Sequence, residues 1–594
     1  MPVYWPFFLF TFLSLEALAQ IQLAPIQVQA TKSAKVFNFG SSSHFSQEDL
    51  TLRPQTNLKQ FIDSVPGVIS NQNGGPGGRV SFFIRGTESR HVSFTLDGLK
   101  LNDVSGVDRQ FDAAFLTSPI LQELNVYKGP QAVLFGSDAL GGLVDMRTRK
   151  GERAPETRVN FFGGSFGTVG GSLSSDWKAK KNQGTLTYSM NHSDGISRLN
   201  KKRFHAKEAD SSDISQATSS SRHFWQKNQT DLLLSFVNGK NELDGATSDN
   251  SYDHSTNHQY LMQQKTSHFL DKNTALSLRN GLNRHQRFIH TRAQGAQTYS
   301  GNSIQNELLM ENKSRYAELM GGLATEHEDV LLSQVDRSFD LNSAFLQSLF
   351  KLKSFSFQAG GRLEHHSRYG SFQTGSTGIA YQLARHKFFT QYSQGFKAPS
   401  LFQLYYPIYG NRNLVPERNH SWETGWKLEE DDYGLNVTIF KNKLSNLVTF
   451  TSAGYRNQGD FIAEGVEVSG RLTASSFVFK PSFVQQNFRK QETVVLRRPQ
   501  NMISLQASWF AVENLEFYTK FSKFSARKDQ NTDLTPHTVK LNGFETVDVG
   551  ARYVDGMNDY SFQIVNLLNR EYEELYGYSV MPRSVFVGFG RRFL

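Results

Sequence analysis

The chain has 594 residues, including 48 Phe, 21 Tyr, 6 Trp and 47 Gly but no cysteine, which excludes disulfide scaffolds, thiolate-ligated metal centres and cysteine nucleophiles. Its 64 basic and 55 acidic side chains leave a net charge of +9, scattered rather than blocked, so no nucleic-acid-binding tail is indicated. A mean hydropathy of −0.47 argues against a bundle of membrane helices, whereas abundant Phe, Tyr and Gly fit many amphipathic strands.

Residues 3–18 are largely apolar and run into Ala17-Leu18-Ala19, a small-x-small cleavage pattern. Residues 1–19 are therefore expected to be a signal peptide, with maturation near Gln20. No later apolar run reaches the ~18 residues a spanning helix needs. From there to residue 151 the sequence mixes an amphipathic run, Asn57 to Val65, with compact apolar runs such as Val80 to Ile84, and reads as a small α+β domain. Gly74-Gly75 and Gly77-Gly78 around Pro76 suggest an exposed loop in it.

From residue 152 to 594 the pattern changes to alternation. Leu186, Tyr188 and Met190 share one face and Thr187, Ser189 and Asn191 the other, and the segments 433–439 and 503–509 repeat the arrangement. In a soluble sandwich the apolar face would meet a protein core; in a membrane barrel it would meet lipid while the polar face lines a lumen. Alternation alone does not separate the two. The barrel is favoured by the length of the patterned region and by polar stretches, Asn200 to Thr230 and Gly245 to His258, that read as long external loops. The chain end adds a strand with Val585, Val587, Phe589, Arg591 and Phe593 on one face. It is similar to an outer-membrane assembly signal, except that Leu594 follows the aromatic and Arg591 stands at an apolar position.

Several motifs then occur in a telling order: LKQFIDSVPGV (58–68), FIRG (83–86), LDG (96–98), VYKGP (126–130) and GSDALGG (136–142), followed by GFKAPS (395–400), SWETG (421–425), GVEVSG (465–470) and NLLNREYEELYGY (566–578). Their order and spacing resemble the TonB-dependent outer-membrane receptors over nearly the whole mature chain. The resemblance implies an all-β transmembrane barrel of about 22 antiparallel strands (152–594) with an N-terminal α+β plug domain (35–151) in its lumen. It implies active import across the outer membrane of a Gram-negative bacterium, with no covalent chemistry. The implied partners are the TonB-ExbB-ExbD energy-transducing complex, outer-membrane lipid and a scarce nutrient, with no nucleic acid. Arg85 and Lys128 match basic plug positions, and Glu423 and Glu467 the acidic wall positions facing them, so these four are expected to form one charge cluster. Pro25, Ile26, Gln27, Val28, Gln29, Ala30 and Thr31 resemble a TonB box, an extended peptide that adds as a strand to a partner's sheet.

For the ligand, residues 71–103 and 104–111 look like the plug apex of the family's cobalamin importers. On that resemblance Gln72, Asn73, Gly74 and Gly75, with Val104, Ser105, Gly106, Val107, Asp108 and Arg109, are expected to touch a corrinoid. A ferric-siderophore receptor is the alternative, in which Tyr405, Tyr406 and Tyr409 could line a catecholate site, although the sequence favours placing them in an interfacial aromatic girdle. Haem is disfavoured, because residues 396–413 contain no His between the two boxes where haem receptors carry one. No cofactor is required on this reading. Calcium is a possible ion, on Asp244, Asp249 and Asp253, closely spaced oxygen donors in one loop. A passive porin would not carry such a plug, and no nucleophile–base constellation has the spacing of a hydrolase.

Overall fold

The computed structural model describes residues 39–51, 57–245, 249, 252–332, 335–491, 494–531 and 537–594. The signal peptide and the segment Pro25 to Thr31 lie outside these. Twenty-two antiparallel strands, from Thr157–Gly164 to Ser584–Phe593, close into one barrel, the last strand pairing with the first through Phe586↔Gly164 and Phe593↔Thr157. Exposure separates barrel from sandwich. Leu186 (56%), Met190 (51%) and Ile439 (62%) face outward, uncovered by the described residues of the chain, while Thr185, Thr187 and Ser189 are buried on the lumen side. Apolar side chains outside and small polar ones inside are the pattern of a barrel wall in lipid.

One rim carries short turns and both ends of the barrel; the other carries long loops such as residues 194–211, 398–416 and 566–583. Short turns mark the periplasmic side. Near that rim the outward aromatics touch in sequence, Phe477 with Trp509 (6.1 Å), Trp509 with Phe517 (5.5 Å), Tyr553 with Tyr560 (6.2 Å) and Tyr560 with Phe589 (5.4 Å), forming a girdle.

The expected loop at Asn200 to Thr230 is a loop only to residue 211. Ser212–Trp225 and Asn228–Glu242 are wall strands. The first was hidden by its composition, because its outward positions include Ala217 and Ser219 rather than large apolar residues. Likewise the stretch Gly245 to His258 enters a strand at His254.

The lumen holds the plug. Its sheet runs Ser42–Ser46, Leu121–Lys128, Gly142–Thr148, Val92–Leu96, Leu99–Lys100, with Val92–Leu96 and Gly142–Thr148 parallel. A hairpin, Val68–Gln72 with Val80–Ile84, and short helices such as Lys59–Ile62 complete it. The amphipathic run around residue 60 seats Phe61 and Ile62 in a core with Phe82, Phe94, Leu124 and Val144. The plug sheet ends at Thr148 and the barrel begins at Thr157.

Within this sheet Asp145 accepts a hydrogen bond from Thr95 Oγ1 at 2.7 Å, while its Oδ2 has no partner. Burial pushes its carboxyl up to about 6. A carboxyl whose folded value is raised imposes no penalty while both states are protonated; the penalty grows as pH rises through the ordinary carboxylate range and is complete above the raised value. Asp145→Asn is therefore expected to raise the melting temperature at pH 8, by up to about 3 kcal/mol of plug stability, and to leave it unchanged near pH 4. Equal shifts at both pH values would contradict this.

Candidate functional site

The first cluster sits at the turn after the strand Val80–Ile84. Arg85 grips two wall carboxylates: Nε and Nη2 each donate to Glu467 at 3.0 Å, and Nη1 and Nη2 donate to Glu423 at 2.9 and 3.3 Å. Lys128 Nζ adds a bond to Glu467 at 2.9 Å, and the Phe440 ring lies 4.6 Å from the guanidinium carbon. Strand register explains the convergence. Glu423 pairs with Phe440 and Glu467 with Thr438, so both acids flank the strand Tyr433–Ser445 and point inward, with Gly465 leaving room for the Phe440 ring. The structure thus brings together all four residues expected to cluster. Arg85 is fully buried (0%), and two cations against two anions make the group formally neutral. Burial pushes the Lys128 ammonium below its ordinary range despite Glu467.

A second cluster lies nearer the long loops. Asp138 accepts from Arg109 Nη2 at 2.5 and 2.6 Å, from Lys397 Nζ at 2.6 Å and from Asn102 at 3.1 Å; Arg109 Nη1 also donates to Glu328 at 3.0 Å. Burial pushes the Asp138 carboxyl up, but Arg109, Lys397 and Lys100 prevail and hold it well below the usual range. Sequence reasoning missed Asp138 and Lys397. Each is one charge in a motif whose other residues read as turn or packing elements, and only the fold shows that they meet. Arg85, Arg109 and Asp138 all take positive φ (49°, 58° and 85°), costly for residues with a Cβ, so surrounding contacts must hold them there.

The expected apical ligand residues are covered rather than open. Val104 packs with Val330, Leu332 and Phe339, Arg109 is consumed by the second cluster, Ser105 and Gly106 are buried, and Val107 and Asp108 are half-buried. Gln72 and Asn73 are half-buried too. A Cβ on Gly74 (φ +84°) would lie 2.7 Å from Arg198, and one on Gly75 2.8 Å from Ile196. The cause is the loop 194–211, which is laced to the loop 566–583: Asn200 N donates to Gly577 O at 2.8 Å, Arg203 pairs with Glu573 at 2.7 Å, and Lys202 pairs with Glu571. From that second loop Glu574 reaches the plug, meeting Lys59 Nζ at 3.1 Å and accepting from Gln72 N at 2.9 Å.

The three candidate calcium aspartates accept from backbone amides: Asp244 from Leu199 N (3.2 Å), Asp249 from Lys207 and Glu208 N (2.6 and 3.1 Å), and Asp253 from Arg292 N (2.7 Å). Asp244 neighbours both Asp210 and Asp249, and burial together with the Asp244 charge pushes the Asp210 carboxyl up to about 7. Among the described residues no group of three or more His, Asp or Glu is arranged to hold a metal ion.

Comparison with known proteins agrees with this architecture. The family model described as TonB dependent receptor-like, beta-barrel matches residues 136–569, and the TonB-dependent Receptor Plug Domain matches residues 37–143. The chain is a TonB-dependent receptor. Solved structures with the same fold include the siderophore receptor PirA from Acinetobacter baumannii (TM-score 0.81, 15% identity, covering 93% of this chain and 98% of that one). They also include the FrpB iron transporter from Neisseria meningitidis (TM-score 0.79, 13% identity, 92% and 98%). A third is a ferric enterobactin receptor mutant from Pseudomonas aeruginosa in complex with enterobactin (TM-score 0.79, 14% identity, 94% and 100%). At these identities the likeness establishes fold alone. Family membership makes the receptor a TonB-dependent outer-membrane transporter.

The receptor's loop 398–416 places the remaining candidates. Tyr405 and Tyr406 lie on and just after a short helix, Leu401–Tyr405, capped by Ser400. Phe402 stacks on Tyr406 at 4.3 Å, Tyr409 meets Phe450 at 5.2 Å, and Phe450 meets Tyr455 at 5.1 Å. These rings stand above the wall on the long-loop side, so they are not part of an interfacial girdle. Three guanidinium groups surround Tyr405: Arg337 and Arg368 at 5.5 Å and Arg412 at 5.4 Å from its centroid, with Arg368 also donating to the hydroxyl at 2.8 Å. All three arginines are exposed. None of them pairs with a carboxylate among the described residues.

Proposed function

We propose that the receptor imports an anionic ferric chelate with aromatic donors, of the siderophore class, drawing on energy delivered by a TonB complex. The observation that carries this is the outer surface around Tyr405. Three exposed arginines without carboxylate partners among the described residues, set among stacked aromatic rings, give a ferric catecholate both charge neutralisation and ring contacts. A corrinoid such as cyanocobalamin, which has little net charge, gives those arginines no anionic partner. The structural neighbours are in keeping with this, since they include a siderophore receptor and an enterobactin-bound receptor. The cobalamin resemblance of the apex draws no support from them. Pro25 to Thr31 is the segment proposed to engage TonB.

Binding of ferric enterobactin, a ferric hydroxamate and cyanocobalamin to the detergent-purified receptor, each with and without calcium, tests the reading. Ferric enterobactin is expected to be retained, more weakly as salt rises. The triple variant Arg337→Ala, Arg368→Ala, Arg412→Ala is expected to lose about 2–3 kcal/mol, roughly 30- to 150-fold in affinity. Saturable cyanocobalamin binding with no retained ferric chelate would overturn the reading and restore the corrinoid assignment.

A further inference from the structure

The plug is held unevenly. Both buried ion clusters, and the apolar contact of Leu134 and Phe135 with Phe345, Leu349 and Phe389, lie against wall strands between residues 317 and 474. On the opposite half, where the first and last strands of the barrel meet, plug and barrel are joined by single ion pairs, Arg149 with Asp176 at 2.6 Å and Lys59 with Glu574 at 3.1 Å, and otherwise part to leave two cavities. The outer one, about 300 Å³, is bounded by Ile69 and Thr117 of the plug and by Phe162 and Phe544 of the wall, and is roofed by Tyr572 and Glu574 of the loop 566–583. The inner one, about 320 Å³, is bounded by Ser118 and Pro119 of the plug and by Phe162, and reaches Met557 and Arg592 at the short-turn rim.

The two cavities are stacked across the membrane along one seam. Phe162 lines both; Thr117 lines the outer and Ser118 the inner. The Phe162 ring of the wall and the plug segment Thr117-Ser118 thus stand between the two cavities, and that segment is latched. Thr117 donates to Gln216 Oε1 from its N at 3.0 Å and from its Oγ1 at 2.8 Å, and its Oγ1 lies 2.8 Å from Ser189 Oγ. The inner cavity is lined by Arg149, Arg153, Arg158, Arg552, Arg591 and Arg592 against Glu48 and Asp559; Arg149, Arg158 and Arg552 are paired with Asp176, Glu156 and Asp559, and the remaining excess of positive charge favours an anion.

We propose that the imported molecule crosses along this seam, passing from the outer to the inner cavity when the Thr117 latch parts, while the ion clusters on the far half keep the plug in the barrel. The route rests on the transport reading but not on the identity of the ligand; only the value of the inner arginines depends on a negative charge.

The absence of cysteine allows disulfide tethers to be placed at will. Thr117→Cys with Ser189→Cys ties the latch shut, the native γ oxygens being 2.8 Å apart. Ala132→Cys with Gly395→Cys ties the plug to the far wall; a Cβ on Gly395 lies 3.6 Å from that of Ala132, within the roughly 3.5–4.5 Å of natural disulfides. In energised cells given radiolabelled ferric enterobactin, the oxidised latch pair is expected to lower uptake about tenfold or more, to keep surface binding and to recover on reduction. The oxidised far-wall pair is expected to transport normally. Loss of uptake in both, in neither, or in the far-wall pair alone overturns the route. A second measurement needs no ligand: in planar lipid bilayers Phe162→Ala with Thr117→Ala is expected to give step conductance, and Leu140→Ala, on the plug face packed against Gly395 of the far wall, is expected to stay silent like the wild type. Any other pattern overturns the route. If the wild type takes up no ferric enterobactin, the ferric-chelate reading fails and the conductance pair still decides the path.

Discussion

Arg85→Ala is expected to loosen the plug by about 3–5 kcal/mol, the cost of leaving buried charge without its partner. The variant leaves Glu423 and Glu467 facing each other around Lys128 alone, all three buried. The loss should appear as a lower melting temperature for the plug and as faster proteolysis within residues 39–151 while the barrel stays intact. Charge balance, not the guanidinium as such, is the source of the effect, so Arg85→Ala combined with Glu423→Gln, which leaves the neutral pair Lys128–Glu467, should recover part of it. A single variant within about 1 kcal/mol of the wild type, or a double variant less stable than the single one, would contradict this account.

The one-sided penalty bears on transport. A buried neutral cluster adds little net stability over apolar packing, yet it fixes one orientation of the plug, because any small displacement separates ions in a low-dielectric setting. Plug and wall can therefore be polar enough to part under load and still sit in a single register at rest.

The barrel was legible in the sequence because alternation of period two survives wherever outward residues are large, as at Leu186, Tyr188 and Met190. It failed at Ser212–Trp225, where small outward residues remove the contrast on which the pattern depends. Alternation also could not say what covers the apolar face; the exposure of Leu186 and Ile439 in the folded barrel says that no described part of this chain does. The cluster of Arg85, Lys128, Glu423 and Glu467 was legible only through a family resemblance, since nothing local to Glu467 points to a residue nearly 400 positions away. Asp138 and Lys397 escaped even that. The apex residues 72–75 and 104–109 were assigned to the plug from the sequence, but the side chains that cover them were not legible, because cover by Arg198 and Ile196 is decided by how two distant loops pair through Leu199 and Tyr578. The position of Tyr405 above the wall rather than in the girdle depends on the same kind of long-range loop packing.

Deletion of Pro25 to Thr31 is expected to abolish energised uptake altogether. Strand addition to a partner's sheet takes its affinity from main-chain hydrogen bonds, and a receptor without the segment gives a TonB complex nothing to pull, however well its outer surface binds. The proposed ligand surface around Tyr405 lies far along the chain from this segment, so ligand binding should not change. The decisive measurement is thus a paired one: surface binding and accumulation of radiolabelled ferric enterobactin, in cells carrying the full-length receptor or the variant lacking residues 25–31. The account predicts equal binding in both, with accumulation by the full-length receptor that stops on de-energising the cells and none by the variant. Accumulation by the variant, or accumulation by the full-length receptor that persists without an energised inner membrane, would contradict it.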